Sequence, residues 1–361
     1  MIKFFDLSIV NKNINLNNYF RNFIQEYEYV LGTYVQEFEE KYADYLNIKH
    51  CVGVGNGTDG LVLALKALDI NEHDKVGTVA NAGFYTTSAI NLIGAKPVFI
   101  DVNYQDQLID LNDLEIKLKK HNISALFITH LYGNVVDMYK VRNITKKYNI
   151  KIIEDCSHAH GIKFNNRFVG SFGDISIFSF YPTKNLGAIG DAGAILTNSN
   201  KIYKKLLSLR QYGWGKKYSV VNKFGQNSRM DALQAGILSK KLDYLEDMNQ
   251  SRTLIANKYD QKLSLLPLKI SVKKRSLPYH LYVVRTNKRK QFINYLDQNK
   301  IQTQIHFPIP DNKQLIMKKL NQSLPVTEKL SKEIISLPFY PYMPVKIQNK
   351  IIKVIEEFFK K

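Results

Sequence analysis

Short apolar runs recur along the first two-thirds of the chain, each followed by a stretch in helical register, and this alternation limits the fold more than any other feature. The runs fall at 51–54, 75–79, 97–101, 125–131, 150–155, 174–180 and 193–197. Strands that are apolar almost throughout belong in a sheet covered on both faces, and intervening helices supply the cover in a mainly parallel arrangement. Between the first two runs, Leu61, Ala64, Leu65 and Leu68 share one helical face. The class is therefore α/β. Further on, the pattern predicts a long helix over 230–251, a strand over 279–286, and helices over 289–299 and 347–361. Ile351, Ile355, Phe358 and Phe359 form a stripe on the last helix, expected to dock on its own domain rather than on a membrane. With 361 residues, the chain accommodates a large domain over 1–243 and a smaller C-terminal α/β domain over 244–361.

Composition removes several classes. The apolar fraction is 45% and the charged fraction 23%, ordinary for a globular protein with a sizeable core. No run approaches the roughly 18 apolar residues that a membrane-spanning helix needs. The start of the sequence lacks a signal-peptide pattern, and Cys51 and Cys156 are too few for a disulfide framework. A reduced, cytoplasmic protein is expected. The net charge is +19, from 51 Lys and Arg against 32 Asp and Glu. These bases are scattered as pairs such as Lys119-Lys120 and Lys240-Lys241, which describes a solvated surface rather than a nucleic-acid partner.

Three segments carry chemistry. In Gly53-Val54-Gly55-Asn56-Gly57-Thr58-Asp59-Gly60, glycines between strand and helix let backbone amides approach an anion, with the helix N-terminus adding positive potential. Positions 75–79, about twenty residues on, offer no acid for a ribose, which weakens a dinucleotide reading. The 150–155 run then delivers Asp155 at a carboxyl end, where ligand sites open in parallel sheets. Asp155 suits either a helix N-cap or a carboxylate that keeps a heteroaromatic nitrogen protonated. His158 and His160 lack further ligands at metal spacing. Finally, Ser179-Phe180-Tyr181-Pro182-Thr183-Lys184-Asn185 places one lysine between a buried strand and a glycine-rich stretch. Burial and nearby cations there would lower its pKa and make a neutral amine available for imine chemistry.

In this order and spacing, these segments resemble the sugar aminotransferases of the DegT/DnrJ/EryC1/StrS family. Asn227-Ser228-Arg229-Met230, Ile305-His306-Phe307-Pro308-Ile309-Pro310 and Ser336-Leu337-Pro338 extend the likeness from about Asn18 to the C-terminus. The resemblance implies the aspartate-aminotransferase fold (fold type I), pyridoxal 5'-phosphate as cofactor, and a homodimer with shared active sites. Lys184 then matches the Schiff-base lysine and Asp155 the acid facing the pyridine nitrogen. Gly57, Thr58, Asp59 and Ser179 match the group around the cofactor phosphate, and Asn227 a residue reaching it from the neighbouring subunit. His158 stands where many members have glutamine beside the phenolic oxygen. The usual stacking aromatic falls at Gly83, leaving Phe84 and Tyr85 as alternatives. Tyr181, Lys216, His306 and Phe307 match positions that touch substrate, with Phe307 where tyrosine is common.

The implied reaction moves an amino group from glutamate to a nucleotide-linked keto sugar, in deoxysugar biosynthesis of the kind that serves lipopolysaccharide O-antigen. The stretch 80–87 resembles members acting on dTDP-3-keto-6-deoxyhexoses; a 4-keto sugar is the alternative. A dehydratase on this scaffold would carry histidine at 184, and a regulatory relative would be expected to lose Asp155 or Lys184. Both are present.

Overall fold

The computed structural model describes residues 1–360 except 13, 15, 26, 271–276 and 321. The apolar runs assemble into one seven-stranded sheet. Its spatial order is His50–Val54, Gly193–Thr197, Ile175–Ser179, Lys151–Asp155, Ala125–Thr129, Lys75–Val79 and Lys96–Ile100. Only Gly193–Thr197 opposes the other six. The helices Gly57–Ala67, Tyr85–Leu92, Leu111–Lys120 and Met138–Thr145 follow strands and cover the faces. Val76, Ala125, Phe127, Ile153 and Ile177 pack into one apolar cluster, while Val79, Ile100, Leu126, Ile128 and Ile152 face another. Alternate residues of the same strands thus feed different cores, which explains why the runs read as continuously apolar.

The helix expected over 230–251 is two helices, Ala232–Leu242 and Leu245–Leu263. Lys41 binds the Ser239 carbonyl at 2.8 Å and the Asp243 carboxylate at 2.7 Å, tying the first to the large unit. The second turns toward the smaller unit, where Tyr259 lies 4.8 Å from the Tyr282 ring and Gln348 donates to the Ile255 carbonyl. A single straight helix could not serve both partners. We place the division between the two units at this break, near Asp243.

Beyond it, Lys269–Ile270, Tyr282–Arg285 and Ile334–Leu337 form an antiparallel sheet, flanked by the helices Arg289–Gln298 and Val345–Lys360. On the last helix Ile351 and Ile355 are fully buried, and Phe358 and Phe359 pack on Phe292 at 5.0 and 5.5 Å. The predicted stripe docks on its own domain; Lys361 lies outside the described residues. The chain start also joins the smaller unit, since Ile2 exchanges backbone hydrogen bonds with Lys300 and Gln302. Among the described residues no helix is long and apolar enough to cross a membrane.

Candidate active site

The loops that leave the carboxyl ends of the parallel strands converge on a cavity of about 510 Å³. Asn56, Gly57 and Thr58 follow His50–Val54, Ala82 and Tyr85 follow Lys75–Val79, and Thr129 and Leu131 stand at the end of Ala125–Thr129. Asp155, Ser157 and His158 stand at the end of Lys151–Asp155; Ser179, Tyr181, Lys184 and Asp191 complete the wall. Convergence at this end of an open α/β sheet is the general rule for ligand sites.

One wall is a helix N-terminus. Asn56 caps Gly57–Ala67 by accepting the Asp59 amide at 2.8 Å, and its carbonyl accepts from Gly60. The amides of Gly57 and Thr58 take no backbone partner among the described residues, leaving donors for an anion. A Cβ on Gly57 would lie 2.7 Å from Ser179 Cβ, so glycine is what lets this turn sit on the strand end. The Asp59 side chain turns elsewhere and accepts from Ser228 Oγ at 2.6 Å. Gly57→Ala should therefore push the helix off Ser179, with an overpacking cost of about 1–3 kcal/mol. Titrating apoprotein with cofactor and following absorbance should show weaker binding than in wild type; unchanged affinity would show that the close approach does not shape the cradle.

Lys184 sits on a tight turn closed by Lys184 N–H to the Tyr181 carbonyl and Ala188 N–H to the Phe180 carbonyl, both 2.8 Å. Behind it, Lys241 donates to the Gly187 carbonyl at 2.6 Å, and Asn185 donates to Asn249 and to the Pro278 carbonyl. The two units are thus pinned together next to the lysine. Burial lowers the Lys184 ammonium to about 8, while the Asp155 charge pulls the other way. Burial, and not the neighbouring cations expected from sequence, is the cause.

Asp155 ends its strand almost fully buried, its Oδ1 accepting from the Ser157 amide at 3.1 Å. No helix follows, so the N-cap reading of this residue is not realised. Its neighbour Glu154 faces the opposite side and accepts from the amides of Gly170, Phe172 and Gly173 at 2.9, 2.7 and 2.6 Å. The paired acids divide between a ligand wall and a loop anchor, as strand alternation requires.

His158 Nδ1 accepts the Tyr132 amide at 3.2 Å, which places the ring proton on Nε2. Burial holds this imidazole well below its usual pKa, with Lys184 and His306 adding to the effect. The ring is consequently a neutral donor at the cavity wall. His160 is buried against Phe178 and Phe180, so the two histidines do not converge as a metal pair.

The aromatic alternatives separate cleanly. Tyr85 lines the cavity, while Phe84 packs away from it with Ala80, Phe99, Met317 and Leu324. Phe307 stands edge-on to Tyr85 at 6.0 Å, and His306 Nδ1 lies 2.8 Å from Ser336 Oγ, its pKa lowered to about 4 by burial. Lys216 and Asn227 are not brought to the cavity of their own chain; Lys216 ends the exposed strand Trp214–Lys216 of a hairpin, and Asn227 is also exposed. Sequence reasoning missed Thr129, whose buried Oγ1 lines the cavity without a partner among the described residues. It ends the observed strand Ala125–Thr129, beside Asp155 in the sheet, whereas the predicted strand ran on to 131 and hid that position.

A buried lysine of lowered pKa, free helix N-terminal amides, an orphaned hydroxyl and a carboxylate around one cavity suit a phosphorylated heteroaromatic aldehyde. The fold and site define a pyridoxal-phosphate-dependent aminotransferase. A model of the DegT/DnrJ/EryC1/StrS aminotransferase family matches residues 11–356, and the chain belongs to that family. It is similar to a dTDP-3-amino-3,6-dideoxy-alpha-D-galactopyranose transaminase of Aneurinibacillus thermoaerophilus, with 40% identity over 99% of both chains. A dTDP-3-amino-3,4,6-trideoxy-alpha-D-glucose transaminase of Micromonospora megalomicea subsp. nigra is 39% identical over 91% of this chain and 90% of that protein. S. venezuelae DesV, solved in complex with a ketimine intermediate, superposes with a TM-score of 0.95 at 31% identity, covering 100% and 99% of the two chains. The Bacillus subtilis protein ntda, solved with bound cofactor pmp, gives a TM-score of 0.94 at 27% identity over 100% and 85%.

Proposed function

We propose that this aminotransferase transfers the amino group of glutamate to a dTDP-linked 3-keto-6-deoxyhexose, acting in the cytoplasm as a homodimer. The observation that carries the reaction class is the meeting of Lys184 and Asp155 around one cavity. The preference for a 3-keto sugar rests on two relatives named as dTDP-3-amino-sugar transaminases, each at least 39% identical.

When bound, pyridoxal phosphate supplies an aldehyde that bonds an amine and a ring that draws an electron pair from the adjacent carbon. Lys184 Nζ would hold the cofactor between turnovers and, once free, would move the proton at the reacting carbon. Its lowered pKa keeps a working fraction neutral near physiological pH. Asp155 would keep the ring nitrogen charged, His158 would offer its Nε2–H to the phenolic oxygen, and Tyr85 would supply an aromatic face to the bound ring. Gly57, Thr58 and Ser179 would hold the phosphate, with Asp59 supporting the turn through Ser228.

Exposed Tyr212, Tyr218, Val220, Val221 and Phe224 on and beside the 214–220 hairpin favour a partner subunit covering this face. In that dimer Asn227 and Lys216 of one chain would complete the phosphate and substrate sites of the other. Tyr181, His306 and Phe307 serve the sugar from the same chain.

The test mixes purified protein with pyridoxal phosphate and records the absorption spectrum. Glutamate should bleach the long-wavelength band, and a panel of 3-keto and 4-keto dTDP and UDP sugars should restore it. Restoration by a dTDP-3-keto-6-deoxyhexose above all others is expected. Restoration only by 4-keto sugars would overturn the substrate assignment.

A further inference from the structure

Helix Tyr85–Leu92 carries Tyr85 into the cavity, yet its N-terminus has no cap of its own. Phe84, at the N-cap position, provides no side-chain hydrogen bond, and the first turn contains no acid. Phe84 also holds φ +69, a left-handed conformation that costs free energy for a residue with a side chain. Asp311 supplies the missing acceptor. Its Oδ1 accepts the Phe84 amide at 3.0 Å and its Oδ2 accepts the Thr87 hydroxyl at 2.5 Å, across 227 and 224 residues of sequence. The Asp311 amide in turn donates to the Ala80 carbonyl at 2.8 Å.

Asp311 directly follows the 305–310 segment that carries His306 and Phe307. Gly83 lies between the two segments; a Cβ there would come within 2.8 Å of the Phe307 ring and 2.9 Å of the Tyr85 ring. Each aromatic depends on the other segment staying in register. We propose that Asp311 is a positioning residue that caps helix Tyr85–Leu92 from the end of the 305–310 segment, holding Tyr85 on the cavity wall with Phe307 packed edge-on against it. Burial pushes its carboxyl up to about 7, against the pull of its two donors. Among the described residues no ion pair reaches it, so those donors and the helix N-terminus are what hold it.

The consequence for sugar binding rests on the function proposed above; the local ordering does not. Hydrogen exchange on the holoenzyme should show the amides of 84–88 exchanging roughly tenfold faster in Asp311→Ala, with the strands Ala125–Thr129 and Lys151–Asp155 unchanged. The KM for the keto sugar should rise about tenfold while kcat stays within about threefold. Asp311→Asn keeps an acceptor for Phe84 and a partner for Thr87, so it should restore both values. Unchanged exchange at 84–88, or acceleration spread evenly over the sheet, would overturn the proposal. Should Asp311→Ala fail to fold, Thr87→Val removes one donor alone and must still accelerate exchange locally; no acceleration would refute the cap. If no keto sugar is a substrate, the exchange result still decides the cap, and only the substrate reading falls.

Discussion

Lys184→Ala should lose turnover by roughly 10⁴-fold or more, because one substitution removes both the nucleophile and a general base worth about 10²–10⁴-fold. The fold should survive. Among the described residues the Lys184 amine has no hydrogen bond, and the turn beneath it is closed by backbone contacts that alanine keeps. A half-buried ammonium carries a desolvation penalty, so its removal should leave the melting temperature unchanged or raise it. Borohydride reduction followed by mass spectrometry should find the cofactor on the peptide holding position 184 in wild type, and nowhere in the variant. Near-normal turnover in Lys184→Ala would remove this residue from the mechanism.

Asp155→Asn should reduce turnover by about 10²–10⁴-fold, since a neutral amide cannot stabilise a positive ring nitrogen as a carboxylate does. A second effect has a definite sign. The Asp155 charge raises the Lys184 pKa, so its loss should move that pKa below about 8. Only neutral amine can bond an aldehyde. The rate at which apoprotein captures pyridoxal phosphate should rise with pH through about 8 in wild type and reach its plateau at lower pH in Asp155→Asn. A midpoint that stays in place, or moves up, would mean that the two groups do not interact across the cavity. Stopped-flow absorbance on the two apoproteins reads this directly.

The proposed catalytic pair was legible because each member announces itself locally. Lys184 follows a buried strand and precedes a glycine-rich turn; Asp155 ends an apolar run that must enter a parallel sheet. Phe84 and Tyr85 could not be told apart in that way. They are adjacent, both aromatic, and the left-handed φ at Phe84 that sends one outward and one into the cavity depends on a distant carboxylate. The helix break at Asp243 was equally hidden, because the apolar spacing continues through Leu242, Leu245 and Met248 while the packing partner changes.

What the chain alone determined is the alternation of strands and helices in the large unit, the glycine turn at Gly57 between a strand and a helix, and which lysine and which acid stand at or just past strand ends. All of these follow from periodicity, glycine placement and strand ends, which are properties of neighbours in sequence. The Asp155 charge that opposes the lowering of Lys184, the tautomer that the Tyr132 amide imposes on His158 and the capping of one helix by Asp311 came only with the tertiary structure. Hydrogen bonds and desolvation act over a few ångströms of space, and no local pattern specifies which groups more than two hundred residues apart will share that space.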